Sequence, residues 1–408
     1  MVKRMYDPNY KYIMITMKKR QQKRNQYLLV IAFQFVFSIS PAFAATDTKE
    51  PEAAVNNPAV GGVTERFNPV FEIELGGESF YAFDLAEKQG IAGLSAIMVD
   101  IDGHISNRLR LFAAFHFDSS VWYDFLNMPL VNRQHDGSEY DLELEVEEFF
   151  LTYHTPLMNM EISVGRMFSV ISYANQLHLA DFQFNIKPRI FTEYWGNNHG
   201  LAMDGGSVKW TGNVGPLQPS LVAEVAKNRY ESEALVFTTV LDLSWSRNML
   251  YLGLRGFGYF DHDNPNHPML HWLPANAGQL LQDKNQMGLN GLGVGFNALY
   301  NLGSERNVFF QSEWVNRSLS GQNYRGGYAF ILWPLGDDFE GSFMVQQLER
   351  PLITDQNFVS VDEKAYTFGL SWFPLINHRL RLEYSVFDNS HFYNNMLTAK
   401  WTFYVNLL

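Results

Sequence analysis

From Phe67 to the end of the chain, apolar residues recur at every second position, and that period decides what the sequence can fold into. Leu109, Leu111, Ala113, Phe115 and Phe117 form one such set; Leu292, Val294, Phe296, Ala298 and Tyr300 form another. Tyr366, Phe368, Leu370 and Trp372 repeat it, as do Leu380, Leu382, Tyr384 and Val386. Leu397, Ala399, Trp401, Phe403, Val405 and Leu407 close the chain on it. A period of two places the apolar side chains on one face of a strand. No stretch of useful length after the leader carries a helical period.

About 16 such segments can be counted, starting near residues 69, 91, 107, 141, 159, 200, 218, 234, 249, 289, 306, 325, 339, 365, 378 and 395. Connections after even-numbered segments are short: Asp102-Gly103, Thr155-Pro156, Thr211-Gly212-Asn213, Ser246-Arg247-Asn248, Gly303-Ser304-Glu305, 335–338 and 374–377. Those after odd-numbered segments are mostly longer, notably 119–138, 168–199, 261–287 and 348–364. Short turns at one end and long loops at the other mark a transmembrane antiparallel β-barrel, with both chain ends in the periplasm when the strand count is even. The reading is all-β, a single barrel over 67–408 with about 16 strands (range about 14–18). A β-sandwich rarely runs to this many strands in one core. A propeller would repeat every 40–50 residues or so, and the sequence shows no such self-similarity.

What precedes the barrel reads as an export signal over 1–44. Lys18, Lys19, Arg20, Lys23 and Arg24 form a basic region, Tyr27 to Ser40 an apolar core, and Pro41-Ala42-Phe43-Ala44 a small-x-small cleavage site. The apolar core falls short of the roughly 20 residues of a spanning helix. Met17, directly before the basic region, is an alternative start. Residues 45–66, small, polar and Pro/Gly-bearing, read as a flexible periplasmic lead-in. Cleavage would remove eight basic residues and one acid, taking the charge from −12 to about −19. A nucleic-acid binder needs a basic footprint, so that class is excluded. With no cysteine, the chain has neither disulfides nor a thiolate metal site. Aromatic residues make up 15% of the chain without long apolar runs, as a fold with one lipid-facing and one water-facing side requires.

If the apolar faces meet lipid, the alternate faces line a lumen. Arg108, Arg110 and His116 alternate with the Leu109 set, and Glu143, Glu145 and Glu147 with Leu142, Leu144 and Val146. Arg379, Arg381 and Glu383 alternate with Leu380, Leu382 and Tyr384. An Arg or Lys facing lipid near the midplane costs about 2–4 kcal/mol, so these side chains are expected to point inward and line a polar pore. Arg166 is placed with them. The 168–199 connection is long and rich in apolar residues, and is expected to fold into the barrel and narrow it. Its His178, Asp181, Lys187, Arg189 and Glu193 would then face the water path. In the 261–287 loop, Asp261, His262, Asp263, His267 and His271 form a His/Asp cluster that could hold an external divalent metal through the three imidazoles. It lacks any fixed ligand spacing.

Asn68-Pro69, the 93–102 segment, Val146-Glu147-Glu148, Leu151-Thr152-Tyr153 and Val164-Gly165-Arg166-Met167-Phe168 resemble a family of porin-like Gram-negative outer-membrane proteins. So do Asn175-x-x-His178, Phe184, Lys187-Pro188, Gly196 and Asp204-Gly205-Gly206. The family comprises phosphate-selective-porin-like and zinc-regulated outer-membrane receptor-type proteins, and the resemblance covers about residues 68–210. The chain departs from it at Ala180, Phe182 and Gln183, where relatives carry a second His and a Trp-Asp pair, and at Phe191-Thr192, where they carry an aromatic-arginine stretch. It also ends in Leu408 rather than an aromatic, while Trp401, Phe403 and Val405 keep the terminal alternation. The resemblance implies architecture more than substrate.

The functional expectation is a channel in the outer membrane of a Gram-negative bacterium, passing small hydrophilic solutes or ions without a cofactor. Its partners would be outer-membrane lipid and the barrel-assembly machinery, and a homotrimer is allowed. The alternative is a surface receptor or metal-acquisition accessory protein using the external His/Asp loops. Neither G-x-S-x-G nor H-E-x-x-H occurs, so no enzyme is expected.

Overall fold

The computed structural model describes residues 69–407 apart from 86–87, 120–141, 156–158, 175–182, 186–187, 189–201, 229–234, 248, 262–288, 304–305, 320–321, 354–357, 376 and 389–394. The leader, the lead-in and the 262–288 histidines fall outside the described residues. The strands are β1 (Val70–Asp84), β2 (Gln89–His104), β3 (Leu109–Ser119), β4 (Leu142–His154), β5 (Met160–Phe168), β6 (Ala202–Thr211), β7 (Leu217–Asn228) and β8 (Leu235–Arg247). They continue as β9 (Leu250–Asp261), β10 (Leu289–Asn301), β11 (Asn307–Leu319), β12 (Gln322–Pro334), β13 (Phe339–Ile353), β14 (Phe358–Trp372), β15 (His378–Asp388) and β16 (Met396–Asn406). Each pairs antiparallel with its sequence neighbours, and β1 pairs with β16 from Glu74↔Asn406 to Asp84↔Met396, so the barrel closes with no free edge.

The outer face is what the alternation demands. Leu151, Val164, Leu221, Val225, Leu241, Leu254, Leu292, Val294, Leu370 and Leu382 are exposed large hydrophobics, strand after strand. Hydrocarbon leaves no partner for an unpaired backbone group, and closure satisfies every ladder. Aromatics girdle the end that carries the turns after even-numbered strands: Phe71, Tyr153, Trp210, Tyr300, Phe339, Trp372 and Trp401 are all exposed there. Several lie over glycines on the neighbouring strand. A Cβ on Gly103 would meet the Phe71 ring, and one on Gly341 the Trp333 indole, so these glycines make room for the girdle.

Two bulges reset the alternation. Between Ala114 and Phe115 the β3–β4 register steps from Glu148 to Val146, leaving Glu147 as the extra residue. Glu147 and Glu148 are therefore both buried, while Phe149, Leu151 and Tyr153 face out. Strict alternation through the same residues, with no bulge, would point the last three into the lumen. A second irregularity lies between Glu78 and Ser79 on β1.

The strand starts expected from the sequence lie within three residues of those observed, with one exception. The expected 348–364 loop is mostly strand: β13 runs to Ile353 and β14 begins at Phe358, with Glu349↔Asp362 and Leu352↔Val359 in register. Its outward residues, Gln347, Glu349, Asp362 and Lys364, are polar, so the apolar alternation stops before the strands do. Likewise β11 and β12 are joined through residues 320–321 alone.

Candidate functional site

The inner face divides into two arcs of opposite chemistry. From β7 to β13 it is largely apolar: Val222, Ala226, Val236, Val240, Tyr251, Phe257, Leu299, Phe309, Val315, Tyr328, Phe330, Leu332, Met344 and Leu348 form one buried cluster. From β14 through β16 to β4 it carries hydroxyls and charge. Buried there are Glu363, Thr367, Ser371, Arg381, Glu383, Ser385, Thr398, Lys400, Thr402, Glu78, Asp84, Asp102, Arg110, His116, Glu147, Glu148 and Thr152.

The chain leaving β5 turns inward and lies on the apolar arc. Ile171, Ala174 and Phe184 belong to its cluster, and the Phe184 ring meets Phe330 edge-on at 5.2 Å. Glu224, Arg255 and Glu313 on that arc are aimed at the entering segment. Glu224 on β7 accepts from Ser169 Oγ at 2.6 Å and Val170 N at 3.1 Å. Glu313 on β11 accepts from Ser172 Oγ at 2.7 Å, Tyr173 N at 2.9 Å and the β12 Tyr328 hydroxyl at 2.6 Å. Between them Arg255 on β9 is held bidentately by Asp242 on β8, at 2.6 and 2.9 Å. Its guanidinium donates to Val170 O at 3.3 Å and lies 3.9 Å over the Tyr173 ring. Within the segment, Ser169 and Ser172 hydroxyls accept from Ile171 N and Ala174 N. Hydrogen bonds to a charged group stabilise by roughly 1.5–3 kcal/mol each, so several together outweigh the cost of ordering six residues only in concert with apolar burial. Further along, Asn185 N donates to Glu383 Oε1 at 2.8 Å and Asn185 Nδ2 to Thr398 Oγ1 at 3.0 Å. The described parts of the segment thus touch the inner wall from β7 to β16.

The charged arc is internally paired. Lys400 Nζ lies 3.0 Å from Glu78 Oε1, and both side chains are 1–2% exposed. Arg381, directly opposite Lys400 in the ladder, is 4.0 Å from Glu383. His116 Nδ1 lies 3.0 Å from Glu147 and Arg110 Nε 3.6 Å from Asp102. Toward the turn end the inner face opens: Glu74, Asp100, His104, Arg108, His154, Glu161, Lys209 and Arg379 are all at least partly exposed. Charge is therefore accessible at that mouth and packed at mid-height, where the segment crosses. From β1 to β4 acids outnumber bases: Glu74, Glu78, Asp84, Asp100, Asp102, Glu147 and Glu148 stand against Arg108 and Arg110.

Of the residues singled out from sequence, Arg110, Arg379, Arg381 and Glu383 lie on the inner face. Glu143 and Glu145 pair with Asp118 and His116 in the β3–β4 ladder. Arg166 does not belong with them. It stands opposite Phe149, on the outer face, and makes a two-pronged pair with Asp204 at 2.7 and 3.1 Å. On β5 Ile162 and Val164 are exposed, and the same alternation carries Arg166 outward. His178, Asp181, Lys187, Arg189 and Glu193 lie outside the described residues, as do His262, His267 and His271. Sequence reasoning missed Glu224, Asp242, Arg255, Glu313 and Lys400. A signal was present: Glu224 sits between inward Val222 and Ala226, Arg255 between Tyr251 and Phe257, and Glu313 between Phe309 and Val315. A lone charge on an otherwise apolar inner face needs a partner from elsewhere in the chain.

No family model matches the sequence, nor does any curated protein. Solved structures do match in fold. OprB of Pseudomonas putida, in its high-pH structure, aligns at TM-score 0.56 and 10% identity over 83% of this chain and 94% of its own. The trimer form of OmpT, an outer-membrane protein of Vibrio cholerae, aligns at 0.53 and 10% over 83% and 99%. An anion-selective porin from Comamonas acidovorans aligns at 0.52 and 8% over 84% and 100%. At this identity the likeness is one of architecture, the closed barrel of outer-membrane porins.

Proposed function

We propose that the chain is a channel in the outer membrane of a Gram-negative bacterium, passing small hydrophilic solutes or ions and favouring cations. The observation that carries this reading is a closed 16-strand barrel, apolar outside, whose inner wall keeps one charged arc while a chain segment crosses at mid-height. Unplugged barrels of about this strand number hold an aqueous lumen. The segment narrows that lumen, so the passage is smaller than the strand count alone implies. The excess of carboxylates on β1–β4 raises the local concentration of cations over anions. Short turns place the mouth lined by Glu74, Arg108 and Arg379 on the periplasmic side. Outer-membrane lipid surrounds the apolar belt, the barrel-assembly machinery inserts it, and a homotrimer, as in the trimer form of the V. cholerae protein, is the assembly this reading adopts.

Liposome swelling tests it. Vesicles carrying the refolded protein should swell in small sugars and amino acids and slow steeply as solute size rises. Folded protein in vesicles that never swell would defeat the channel reading.

A further inference from the structure

We propose that Glu224 and Glu313, with Arg255 between them, form an acid-releasable latch that positions the 169–174 segment and so controls the passage. The inference rests on the channel reading but is drawn from a separate set of contacts. All of the latch's carboxylate contacts to the segment require acceptor oxygens: Glu224 takes Ser169 Oγ–H and Val170 N–H, and Glu313 takes Ser172 Oγ–H and Tyr173 N–H. A protonated carboxyl turns one of its oxygens into a donor, which faces another donor here. Each carboxyl then keeps reduced acceptor capacity for its two segment donors, the serine hydroxyl must turn to accept, and the charge that strengthens both bonds is lost.

The groups facing the latch from each neighbouring element share the same balance. Arg255 on β9 meets Asp242 on β8, Val170 O on the segment and the Tyr173 ring; Tyr328 on β12 donates to Glu313. Three carboxylates thus surround one guanidinium. Beside this charged anchoring, Val170, Ile171 and Ala174 pack against the apolar cluster. Release therefore leaves the barrel wall intact, because every wall ladder is backbone-paired without the segment. It frees residues 169–174, already inside the lumen, to leave the wall and enter the passage, and closures follow.

The test compares wild type with the isosteric double variant Glu224→Gln/Glu313→Gln, both checked for folding by heat-modifiable gel migration. In planar bilayers in symmetric KCl, wild type is expected to conduct steadily at pH 7.5 and to spend at least about ten-fold more time in closed or reduced states near pH 4, just below the ordinary glutamate value of about 4.3. The double variant is expected to show that behaviour at pH 7.5 and to respond little to acid. Wild-type traces unchanged by pH, or a double variant with the wild-type pH response, would overturn the latch. A second readout does not depend on conduction: hydrogen exchange at pH 7.5. There the 170–174 amides of the double variant should exchange at least about ten-fold faster than wild type, with strand amides unchanged. Equal exchange in the two proteins refutes the latch even if no channel is ever seen. Fast exchange without conductance retains it and removes the channel reading instead.

Discussion

Replacing Glu78 by Gln probes how far the barrel's interior behaves as a protein core rather than a wetted wall. In the structure Glu78 Oε1 lies 3.0 Å from Lys400 Nζ, with both side chains almost wholly buried. Removing one partner of a buried pair strands the other charge and destabilises by about 3–5 kcal/mol. Here the stranded ammonium also stands directly across the ladder from Arg381, so two cations would face each other with Glu383 as the near acid. Removing both partners together, Glu78→Gln/Lys400→Met, takes away the orphaned charge and should cost far less than the sum of the single changes. The assay is reversible urea unfolding from lipid vesicles, run as a double-mutant cycle. Single variants are expected to lose about 3 kcal/mol or more, with a coupling of similar size between them. Single losses below about 1 kcal/mol with no coupling would mean that both groups are hydrated, and would refute a packed mid-level.

Three further perturbations follow from particular contacts. Gly165 has φ of +136°, and a Cβ there would run into the Phe149 carbonyl oxygen, so Gly165→Ala should weaken the β4–β5 pairing by about 1–3 kcal/mol in the same urea assay. Leu292→Arg puts a cation on the exposed outer face and should cost about 2–4 kcal/mol if that face meets the bilayer interior; a neutral result would place it elsewhere. Arg166→Ala removes an outer-face ion pair, so the reversal potential of the channel should match wild type within error, whereas an inward Arg166 would shift it.

Much of this fold can be read directly from the residues, because a lipid-facing strand must alternate and cannot disguise it. The Leu292 and Leu380 sets each fall inside one strand, facing out. The alternation fails where the outer face leaves the apolar belt. Gln347, Glu349, Asp362 and Lys364 are paired strand residues whose polarity made them look like loop. It fails again at the bulge, where one additional glutamate changes the facing of every later residue on β4, whereas Arg166 could have been placed outside from Ile162 and Val164 on its own strand. The inner wall is harder to read than the outer. Its Arg110, Arg381 and Glu383 follow from alternation and find partners close in sequence, whereas Lys400 meets Glu78 only because the barrel closes. Glu224 and Glu313 make sense only once residues 169–174 are known to lie against them, some 50 to 140 positions away in the chain.

The reversal potential of single channels under a KCl gradient tests the central claim most directly. A narrowed lumen whose uncovered wall carries more carboxylates than bases should give discrete, steady steps and a potential of the sign set by potassium. Discrete steps with the potential set by chloride would contradict the placement of the path along β1–β4. A folded barrel that gives no steps would contradict the channel itself.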